Sequence, residues 1–345
     1  MPDPARRPDQ TFMFREAAEA AAAVARLLDA NRPAVASLAA ELRADPPRAV
    51  VTCARGSSDH AATYAKYLIE TGAGVLTASA AMSVSSVYEA RQDLEGVLFL
   101  AISQSGRSPD LLAAARAARD AGARIVALVN DETAPLAGLA HVTLPLHAGP
   151  ERSVAATKSF ITALAAIAQL VAGWTRDAVL EQALDALPAQ LAEAWALDWT
   201  CAVPHLLHAQ SLYVLGRGVG FATAQEAALK FKETCGLHAE GFSAAEVLHG
   251  PMALVDKSFP VLMFAQGDAT EESVAGLADQ LRTRGAQVLL AGAARPGALP
   301  SVVAHPTLQP LLLIQSFYRL ANALSLARGL DPDNPPHLRK VTETV

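Results

Sequence analysis

The chain contains one pattern twice at a nearly constant spacing, and this feature constrains its fold more than any other. Arg55-Gly56, at the end of a short apolar run, is echoed by Arg217-Gly218, 162 residues later. Gly122–Leu128 is echoed by Gly285–Ala291, 163 residues later. Two matches at nearly one offset are hard to obtain by chance. We therefore predict two copies of an α/β unit, each with a mostly parallel sheet flanked by helices.

Breaks in the pattern predict the domain boundaries. Residues 1–11 read as a disordered lead-in, and Phe12–Asp45 as one or two Ala-rich helices broken near Asn31–Pro33. The tail is rich in proline, which disfavours a helix. The predicted division is a helical lead-in over 1–46, a first domain over 47–175, a connecting helix over 176–198, a second domain over 199–330 and a tail over 331–345.

Composition argues against several classes of protein. The 345 residues have a net charge of -6 and no long Lys/Arg run, so we expect no nucleic-acid partner. No stretch of eighteen uncharged apolar residues occurs and the N-terminus lacks a signal-peptide core, so we expect no membrane partner. Cys53, Cys201 and Cys235 have no CxxC spacing, which argues against a disulfide framework and a zinc site. We predict a cytoplasmic protein without metal or cofactor.

Two junctions in the first copy, each from a strand through a turn to a helix, are candidate anion sites. Ala49–Ala54 is followed by Arg55-Gly-Ser-Ser58, and Val97–Ile102 is followed by Ser103-Gln-Ser-Gly-Arg-Ser108. Hydroxyls and amides at a helix N-terminus donate hydrogen bonds to a phosphate, which the helix dipole also favours. An ordinary capped turn is the alternative at the first junction. The candidate ligands are Gly56, Ser57, Ser58, Ser103, Gln104, Ser105 and Ser108.

The second copy differs at the corresponding junction. There the chain reads Ala265-Gln-Gly-Asp-Ala-Thr-Glu-Glu272, whose acidic side chains would repel a phosphate. We therefore expect only the first copy to hold an anion. Before a long apolar helix, Val154-Ala-Ala-Thr-Lys158 offers further amides to the same ligand, and Lys158 either touches that ligand or is solvated.

The second copy instead contains a group of titratable side chains. Glu226, Lys230 and Glu233 are spaced by four and three residues, which places them on one face of a predicted helix. Sixteen residues further on, His249 precedes Gly250-Pro251, which breaks any helix and leaves the imidazole on a loop. A carboxylate and an imidazole suit proton transfer. A solvated helix surface is the alternative, since such ion pairs are common on exposed faces.

Together these motifs resemble the sugar isomerase (SIS) domain family, and within it the isomerase half of glutamine-fructose-6-phosphate aminotransferase and the stand-alone SIS-type glucosamine-6-phosphate deaminases. The resemblance implies two tandem SIS domains and a homodimer. The matching motifs follow in order along nearly the whole chain: Gly56–Ser58, Ser103–Ser108, Val154–Lys158, Glu226–Glu233, His249–Pro251 and Asp333-Asn-Pro-Pro-His-Leu-Arg-Lys340.

The resemblance also implies roles. The serines and glutamine of the first copy would hold the phosphate of a hexosamine or ketohexose 6-phosphate. Glu233 would move a proton between C1 and C2, and His249, supplied to the neighbouring subunit's site, would open the sugar ring. Lys340 would form a Schiff base with the keto sugar, with Glu226 and Lys230 supporting it.

Two departures from the family pattern affect the expected function. The turn from Val154 to Ala156 would help to hold the phosphate, but Ala156 stands where the family usually has a serine, so one contact is missing. No Cys follows Met1 and no extra domain precedes the first unit, so we expect no glutamine-hydrolysing domain. Ammonia is then not made on site. Free ammonia is mostly ammonium at neutral pH and cannot attack a carbonyl in that form, so we expect the reaction to run in the direction that releases ammonia.

The leading hypothesis is an aldose-ketose isomerase that deaminates, converting glucosamine 6-phosphate to fructose 6-phosphate and ammonia. The alternatives are a deglycase acting on fructosamine 6-phosphates, a synthase-like isomerase without a glutaminase, a plain phosphosugar isomerase and a phosphosugar sensor without activity. A plain isomerase needs no Schiff-base lysine such as Lys340. A sensor is disfavoured because Glu233, His249 and Lys340 are all present and no basic helix-turn-helix precedes Phe12.

Overall fold

The computed structural model describes residues 6–340, which form two compact units. The first, here called the N-unit, comprises residues 22–150 and 159–185. The second, here called the C-unit, comprises residues 6–21, 151–158 and 186–340. Two short segments from the first half of the chain therefore fold with the C-terminal half. The domain boundaries given above remain a prediction.

The N-unit contains a five-stranded parallel sheet in the order β2-β1-β3-β4-β5. Its central strand β3 is buried at every position, as expected for a continuous apolar run covered on both faces. The strands are β1 (Ala49–Cys53), β2 (Thr77–Ser79), β3 (Val97–Ser103), β4 (Arg124–Val129) and β5 (Val142–Pro145).

The C-unit contains a four-stranded parallel sheet in the order β7-β6-β8-β9. Strand β8 is buried throughout, whereas the edge strand β7 is polar and has only one fully buried position. Strand β7 was not predicted, because an edge strand that buries little apolar surface shows no alternating or continuous apolar pattern. The strands are β6 (Ser211–Gly216), β7 (His238–Ser243), β8 (Pro260–Phe264) and β9 (Gln287–Ala291).

Helices follow the strands, as the alternating pattern predicts. The helices are α1 (Phe12–Ala18), α2 (Ala20–Ala44), α3 (Ser57–Leu68), α4 (Ser83–Ser86), α5 (Pro109–Asp120), α6 (Pro135–Leu139), α7 (Lys158–Thr175), α8 (Ala178–Ala196), α9 (Val203–Leu206), α10 (Gly220–Cys235), α11 (Glu271–Thr283) and α12 (Gln309–Ala327). The tail from residue 331 to residue 340 contains turns and no helix, as predicted.

One helix within residues 6–340, α7, is long and apolar enough to cross a membrane by length and composition alone. However, 89% of it is buried inside the protein. Burial of this kind is what the core helix of a globular protein also shows, so the apolar sequence of α7 is accounted for by packing.

Two expectations for the N-terminal region are wrong. Within the expected disordered lead-in, Pro8–Gln10 forms a turn of 3₁₀ helix and the Arg6 guanidinium lies 2.7 Å from Asp331. Residues 1–5 of that lead-in lie outside the described residues. The helix break falls at Glu19 rather than near Pro33, which lies within α2. Buried leucines on both sides of Pro33 stabilise α2 by packing, which outweighs the hydrogen bond that proline removes.

Candidate functional site

The two predicted anion loops lie at the same edge of the N-unit sheet. Strands β1 and β3 are parallel neighbours, with Cys53 paired to Ala101, so their carboxyl ends are adjacent. The first loop leads into α3 at Ser57, and the second leads into α5 at Pro109. This edge is where open α/β sheets bind ligands, and two helix N-termini point their amides toward it.

The polar side chains of these loops are available to a ligand. Ser58, Gln104, Ser105 and Ser108 are half-buried, and none of their side chains forms a hydrogen bond with another residue of the described chain. Ser103 differs, because it is buried and its hydroxyl oxygen accepts a 3.0 Å hydrogen bond from the Gly106 N–H. Ser103 therefore shapes the loop as well as facing the carboxyl edge.

Gly106 is required by the conformation of the second loop. Its φ of +62° lies in the left-handed region, which side chains disfavour. A Cβ atom at this position would lie 2.8 Å from side-chain atoms of both Val129 and Ala134. Only glycine allows the loop to turn this closely against the end of β4.

An ion pair that the sequence analysis missed joins the two loops. Asp110, in the first turn of α5, is 2% exposed and accepts hydrogen bonds from Arg55 Nη2 at 2.8 Å and Arg55 Nε at 3.1 Å. The Arg55 guanidinium offsets the negative charge of this buried carboxylate, which lies next to the two predicted anion loops. Without Arg55, that carboxylate would oppose an incoming phosphate.

The C-unit contains the predicted group on α10, and the group is buried. Glu226 and Lys230 are 0% exposed, and Lys230 Nζ lies 3.3 Å from Glu226 Oε1. Lys230 also forms a short ion pair with Glu233, whose side chain is 20% exposed. The solvated-surface alternative is therefore wrong for Glu226 and Lys230. Glu233 is the member of the group that reaches solvent.

Electrostatics fix the charge of Lys230. Burial lowers its pKa, but the charges of Glu226 and Glu233 and their hydrogen bonds outweigh burial, so the pKa is raised above its ordinary value. Lys230 is therefore an ammonium at neutral pH. This suits a group that orients carboxylates, and it disfavours Lys230 as a nucleophile.

Tyr318 on α12 is a second group that the sequence analysis missed. Its hydroxyl donates a 3.5 Å hydrogen bond to Glu226 Oε1 in a fully buried position. Burial, followed by the charges of Glu226 and Glu151, raises the pKa of Tyr318 well above its ordinary value. Tyr318 is thus a neutral hydroxyl in contact with the buried Glu226 carboxylate.

Lys340, the predicted Schiff-base amine, lies against Glu151. Its Nζ is 3.0 Å from Glu151 Oε2, and its side chain is 24% exposed while that of Glu151 is 0% exposed. The other oxygen, Oε1, accepts a 3.0 Å hydrogen bond from the Thr157 N–H. Glu151 precedes the predicted Val154–Lys158 motif and had no signal of its own, because a single Glu in a turn is unremarkable in sequence.

The tail that contains Lys340 is anchored through Asp333. This carboxylate is 2% exposed and accepts 2.8 Å hydrogen bonds from the N–H groups of Phe12 and Met13, at the start of α1. It also pairs with Arg6. The Asp333 carbonyl in turn accepts a 3.1 Å hydrogen bond from the Val154 N–H. Residues 331–340 of the tail are therefore held by contacts with the rest of the C-unit, while 341–345 lie outside the described residues.

Helix α1 also holds the turn that contains Val154 and Ala156. The Glu16 carboxylate accepts hydrogen bonds from the Arg152 and Ser153 N–H groups, at 2.5 and 3.0 Å. Burial raises the pKa of Glu16, although these two hydrogen bonds act in the opposite direction. Val154 and Ala156 are half-buried.

Lys158 is not solvated, so that one of its two predicted alternatives is wrong, and contact with the ligand stays a prediction. The side chain is 1% exposed, and its amine lies 2.5 Å from Glu19 Oε2. A lysine that is buried in this way needs a carboxylate partner, and Glu19 is too distant in sequence for the pair to be foreseen.

His249 lies apart from these pairs. It is the last residue of a 3₁₀ turn, Glu246–His249, and it is exposed. Its imidazole has no hydrogen-bond or ion-pair partner within the part of the chain that the structure describes. The expectation that it serves a neighbouring subunit stays a prediction.

The structure thus groups the predicted residues into two sets. In the N-unit, the donors of two adjacent loops lie at one sheet edge. In the C-unit, Glu226, Lys230 and Glu233 form one group that Tyr318 contacts through Glu226, and Lys340 pairs with Glu151. The second set offers a carboxylate, an amine and a hydroxyl for chemistry.

The sequence profile of the SIS domain matches residues 45–173 and 205–291, which cover both sheets. The chain belongs to the SIS domain family. The resemblance inferred from the motifs is confirmed, and so is the α/β fold with two SIS segments, each built on a parallel sheet.

Known proteins extend the similarity over the whole chain. Glutamine–fructose-6-phosphate aminotransferase (isomerizing) of Aeropyrum pernix is 38% identical over 97% of this chain. This chain spans 57% of that relative and 51% of its counterpart from Zymomonas mobilis, so it corresponds to about half of the curated relatives it matches.

Two solved structures resemble the fold closely. A candidate phosphosugar isomerase from Silicibacter pomeroyi DSS-3 is 49% identical with a TM-score of 0.90, covering 94% of this chain and 100% of that one. The C-terminal domain of glucosamine-fructose-6-phosphate aminotransferase from Francisella tularensis is 25% identical with a TM-score of 0.85, covering 94% and 98%. The SIS fold is thus shared along almost the full length of the described chain.

Proposed function

We propose that this protein is an aminosugar-phosphate isomerase that deaminates, converting glucosamine 6-phosphate and water to fructose 6-phosphate and ammonia. The observation that supports it most is the position of Lys340, whose amine is held on the buried carboxylate Glu151. The Glu226–Glu233 group lies in the same unit as Lys340 and Glu151, so an amine and an acid–base group occur in one unit. The names of the relatives support a 6-phosphosugar substrate.

The N-unit loops suit the phosphate of such a substrate. Ser58, Gln104, Ser105 and Ser108 supply neutral donors, and two helix N-termini supply backbone amides. Neutral donors bind a dianion without the strong long-range field of a lysine cluster, so phosphate binding serves mainly to position the sugar.

Glu233 is the proposed base for isomerisation. Of the three groups on α10, it is the one whose side chain reaches solvent, at 20% exposure. After His249 has assisted ring opening, Glu233 takes the proton from C2 and returns it to C1. One carboxylate within about 3 Å of both carbons can perform both transfers. Lys230 orients this carboxylate, and Glu226 holds Lys230.

Lys340 is the proposed nucleophile for release of nitrogen. Proton transfer leaves an imine, C2=NH, on the sugar. The Lys340 ammonium gives one proton to the imine nitrogen, and the neutral amine that results adds to C2. The bond from C2 to the original nitrogen then breaks, and ammonia leaves. Water then hydrolyses the lysine Schiff base, which releases fructose 6-phosphate and the free amine. The sum consumes one water and releases one ammonia.

The expected direction of the reaction follows from the reactants that each direction requires. Release of ammonia requires only the aminosugar phosphate and water. Synthesis requires ammonia, which is mostly ammonium at neutral pH and does not attack a carbonyl in that form. We therefore expect purified protein to deaminate readily and to synthesise the aminosugar only at high ammonium concentration and alkaline pH.

The test is ammonia release by the purified protein from glucosamine 6-phosphate. Lys340→Ala should lower kcat by about 100-fold or more, because the covalent route is lost. The matched control Lys232→Ala, at an exposed position of α10, should leave kcat unchanged. In the unmutated protein, borohydride with fructose 6-phosphate should trap a sugar on Lys340. No ammonia from glucosamine, galactosamine or fructosamine phosphates would exclude this function.

The same variants separate the other candidate functions. If the unmutated protein interconverts unaminated aldose and ketose phosphates without releasing ammonia from aminosugar phosphates, and Lys340→Ala retains that interconversion, the protein is a plain isomerase. Faster ammonia or amine release from fructosamine 6-phosphates than from glucosamine 6-phosphate identifies a deglycase. Binding of sugar phosphates without any turnover identifies a sensor. A homodimer is expected, and complementation between inactive Lys340→Ala and His249→Ala subunits would support sharing of His249.

A further inference from the structure

We propose that Glu151 is the positioning residue for the Lys340 amine, an inference that rests on the function proposed above. A Schiff-base lysine must present its nitrogen to the sugar carbonyl in a narrow range of positions. Lys340 lies in a tail without helix or strand, on a side chain with four rotatable bonds, so neither backbone nor side chain fixes the amine unaided. The contact with Glu151 Oε2 at 3.0 Å supplies the missing constraint.

The Glu151 carboxylate is itself held rigidly. Its side chain is 0% exposed, and Oε1 accepts a hydrogen bond from the Thr157 backbone, which leaves Oε2 directed at Lys340. The turn around it is fixed by Glu16, through the Arg152 and Ser153 N–H groups. A buried carboxylate in a fixed turn is a stronger anchor for an ammonium than a solvated one, because water competes less with the ion pair.

Three lysines of the C-unit each pair with carboxylates of their own. Lys158 pairs with Glu19, Lys230 pairs with Glu226 and Glu233, and Lys340 pairs with Glu151. Lys340 is the most exposed of the three at 24%, against 1% for Lys158 and 0% for Lys230. The Lys340 amine is therefore the one of the three that a substrate can reach, whereas the other two pairs suit structure.

The experiment compares Glu151→Gln with Glu19→Gln, which makes the same change at a lysine-paired carboxylate outside the proposed chemistry. Lys340 acetylation by acetic anhydride is measured by mass spectrometry, with exposed Lys66 and Lys232 as internal standards. Glu151→Gln should raise the relative acetylation rate of Lys340 about fivefold, because the amine loses its charged partner. Glu19→Gln should leave that rate unchanged. An equal Lys340 rate in the unmutated protein and Glu151→Gln would overturn the proposal.

Steady-state kinetics test whether the position of the Lys340 amine matters for the reaction. Glu151→Gln should lower kcat for ammonia release and the rate of borohydride trapping about tenfold, with KM changed less than about twofold. Glu151→Asp keeps the charge and should recover part of both rates, a rescue that loss of local structure would not allow. If Glu151→Gln raises KM as strongly as it lowers kcat, and Glu151→Asp rescues neither, a positioning role is contradicted.

The two proposals fail separately. If the unmutated protein releases no ammonia and traps no sugar, the proposed function is wrong, and the acetylation comparison still decides whether Glu151 holds Lys340. If Glu151→Gln does not fold, Glu151→Asp provides the acetylation test, because its shorter side chain moves the carboxylate away from the amine. An unchanged Lys340 acetylation rate in Glu151→Asp then counts against the proposal.

Discussion

Lys230 shows how burial changes the meaning of a charged residue. On an exposed helix, a Glu-Lys-Glu face contributes a few tenths of a kcal/mol and little else. Here the ammonium is 0% exposed and pairs with Glu226 and Glu233. Removing one partner of such a group leaves an uncompensated charge in the interior, which costs far more than a surface pair is worth.

We therefore predict that Lys230→Met destabilises the protein by about 3–5 kcal/mol, because two carboxylates lose their cation. Lys232→Met, at an exposed position on the same helix, should change stability by less than about 0.5 kcal/mol. Urea unfolding followed by circular dichroism measures both. Equal effects of the two substitutions would show that the Lys230 ion pairs are not stabilising.

The raised pKa of Lys230 gives this effect a pH dependence. A lysine whose folded pKa exceeds the ordinary 10.5 stabilises fully below pH 10.5 and loses its contribution as the pH rises through the raised value. The difference in Tm between unmutated protein and Lys230→Met should be constant from about pH 6 to about pH 9 and should narrow above pH 10.5. A difference that narrows already in the neutral range would contradict the assigned direction of the shift.

At the scale of elements, the sequence pattern located most strands well. The predicted strand Ala49–Ala54 is one residue longer than β1, and the predicted Val97–Ile102 is one residue shorter than β3. Strand β3 is buried on both faces, so its apolar run is continuous. The polar edge strand β7 was missed, and a break was wrongly placed at Pro33, because local signals do not report packing from distant segments.

The loop between β3 and α5 depends on Gly106. Gly106→Ala should cost about 1–3 kcal/mol, because a Cβ would enter the space of Val129 and Ala134 at an unfavourable φ. It should also weaken binding of inorganic phosphate, since the loop must move. Gly138→Ala, in α6 with no atom within 4 Å of its Cβ, should leave stability and phosphate binding unchanged. Thermal unfolding and calorimetric titration measure both quantities.

At the scale of the whole molecule, Asp333 connects segments from the two ends of the chain. Its carboxylate accepts hydrogen bonds from the first turn of α1 and pairs with Arg6, more than 320 residues away in sequence. These charge-assisted contacts within the C-unit hold the tail on which Lys340 lies. The tail is therefore part of the folded unit rather than an appendage to it.

Asp333→Asn should lower stability by about 2–4 kcal/mol, because a buried charged acceptor and its ion pair are lost. It should also increase hydrogen exchange in α1 and in residues 331–340. The neighbouring Asn334→Ala, at an exposed position, should cause neither change. Hydrogen exchange with mass spectrometry checks this prediction, and unchanged exchange of the tail in Asp333→Asn would contradict it.

Much of the candidate site could be predicted from sequence, and the remainder depended on long-range contacts. The serine-rich loops and the Glu226–Glu233 face are local patterns whose spacing fixes how side chains share a helix face or follow a strand. Glu151, Tyr318 and the Arg55–Asp110 pair gave no signal, because each obtains its role from a residue far away in the chain.

The sequence alone determined the α/β class, the parallel strands, the position of two serine-containing loops predicted to bind an anion, and the face shared by three charged residues of α10. Period and turn chemistry are local properties, so they can be read without coordinates. Only the tertiary structure decided that this face is buried, that Lys158 pairs with Glu19 and that Lys340 lies on Glu151. Burial and ion pairing depend on which distant segments pack together, and no local pattern encodes that.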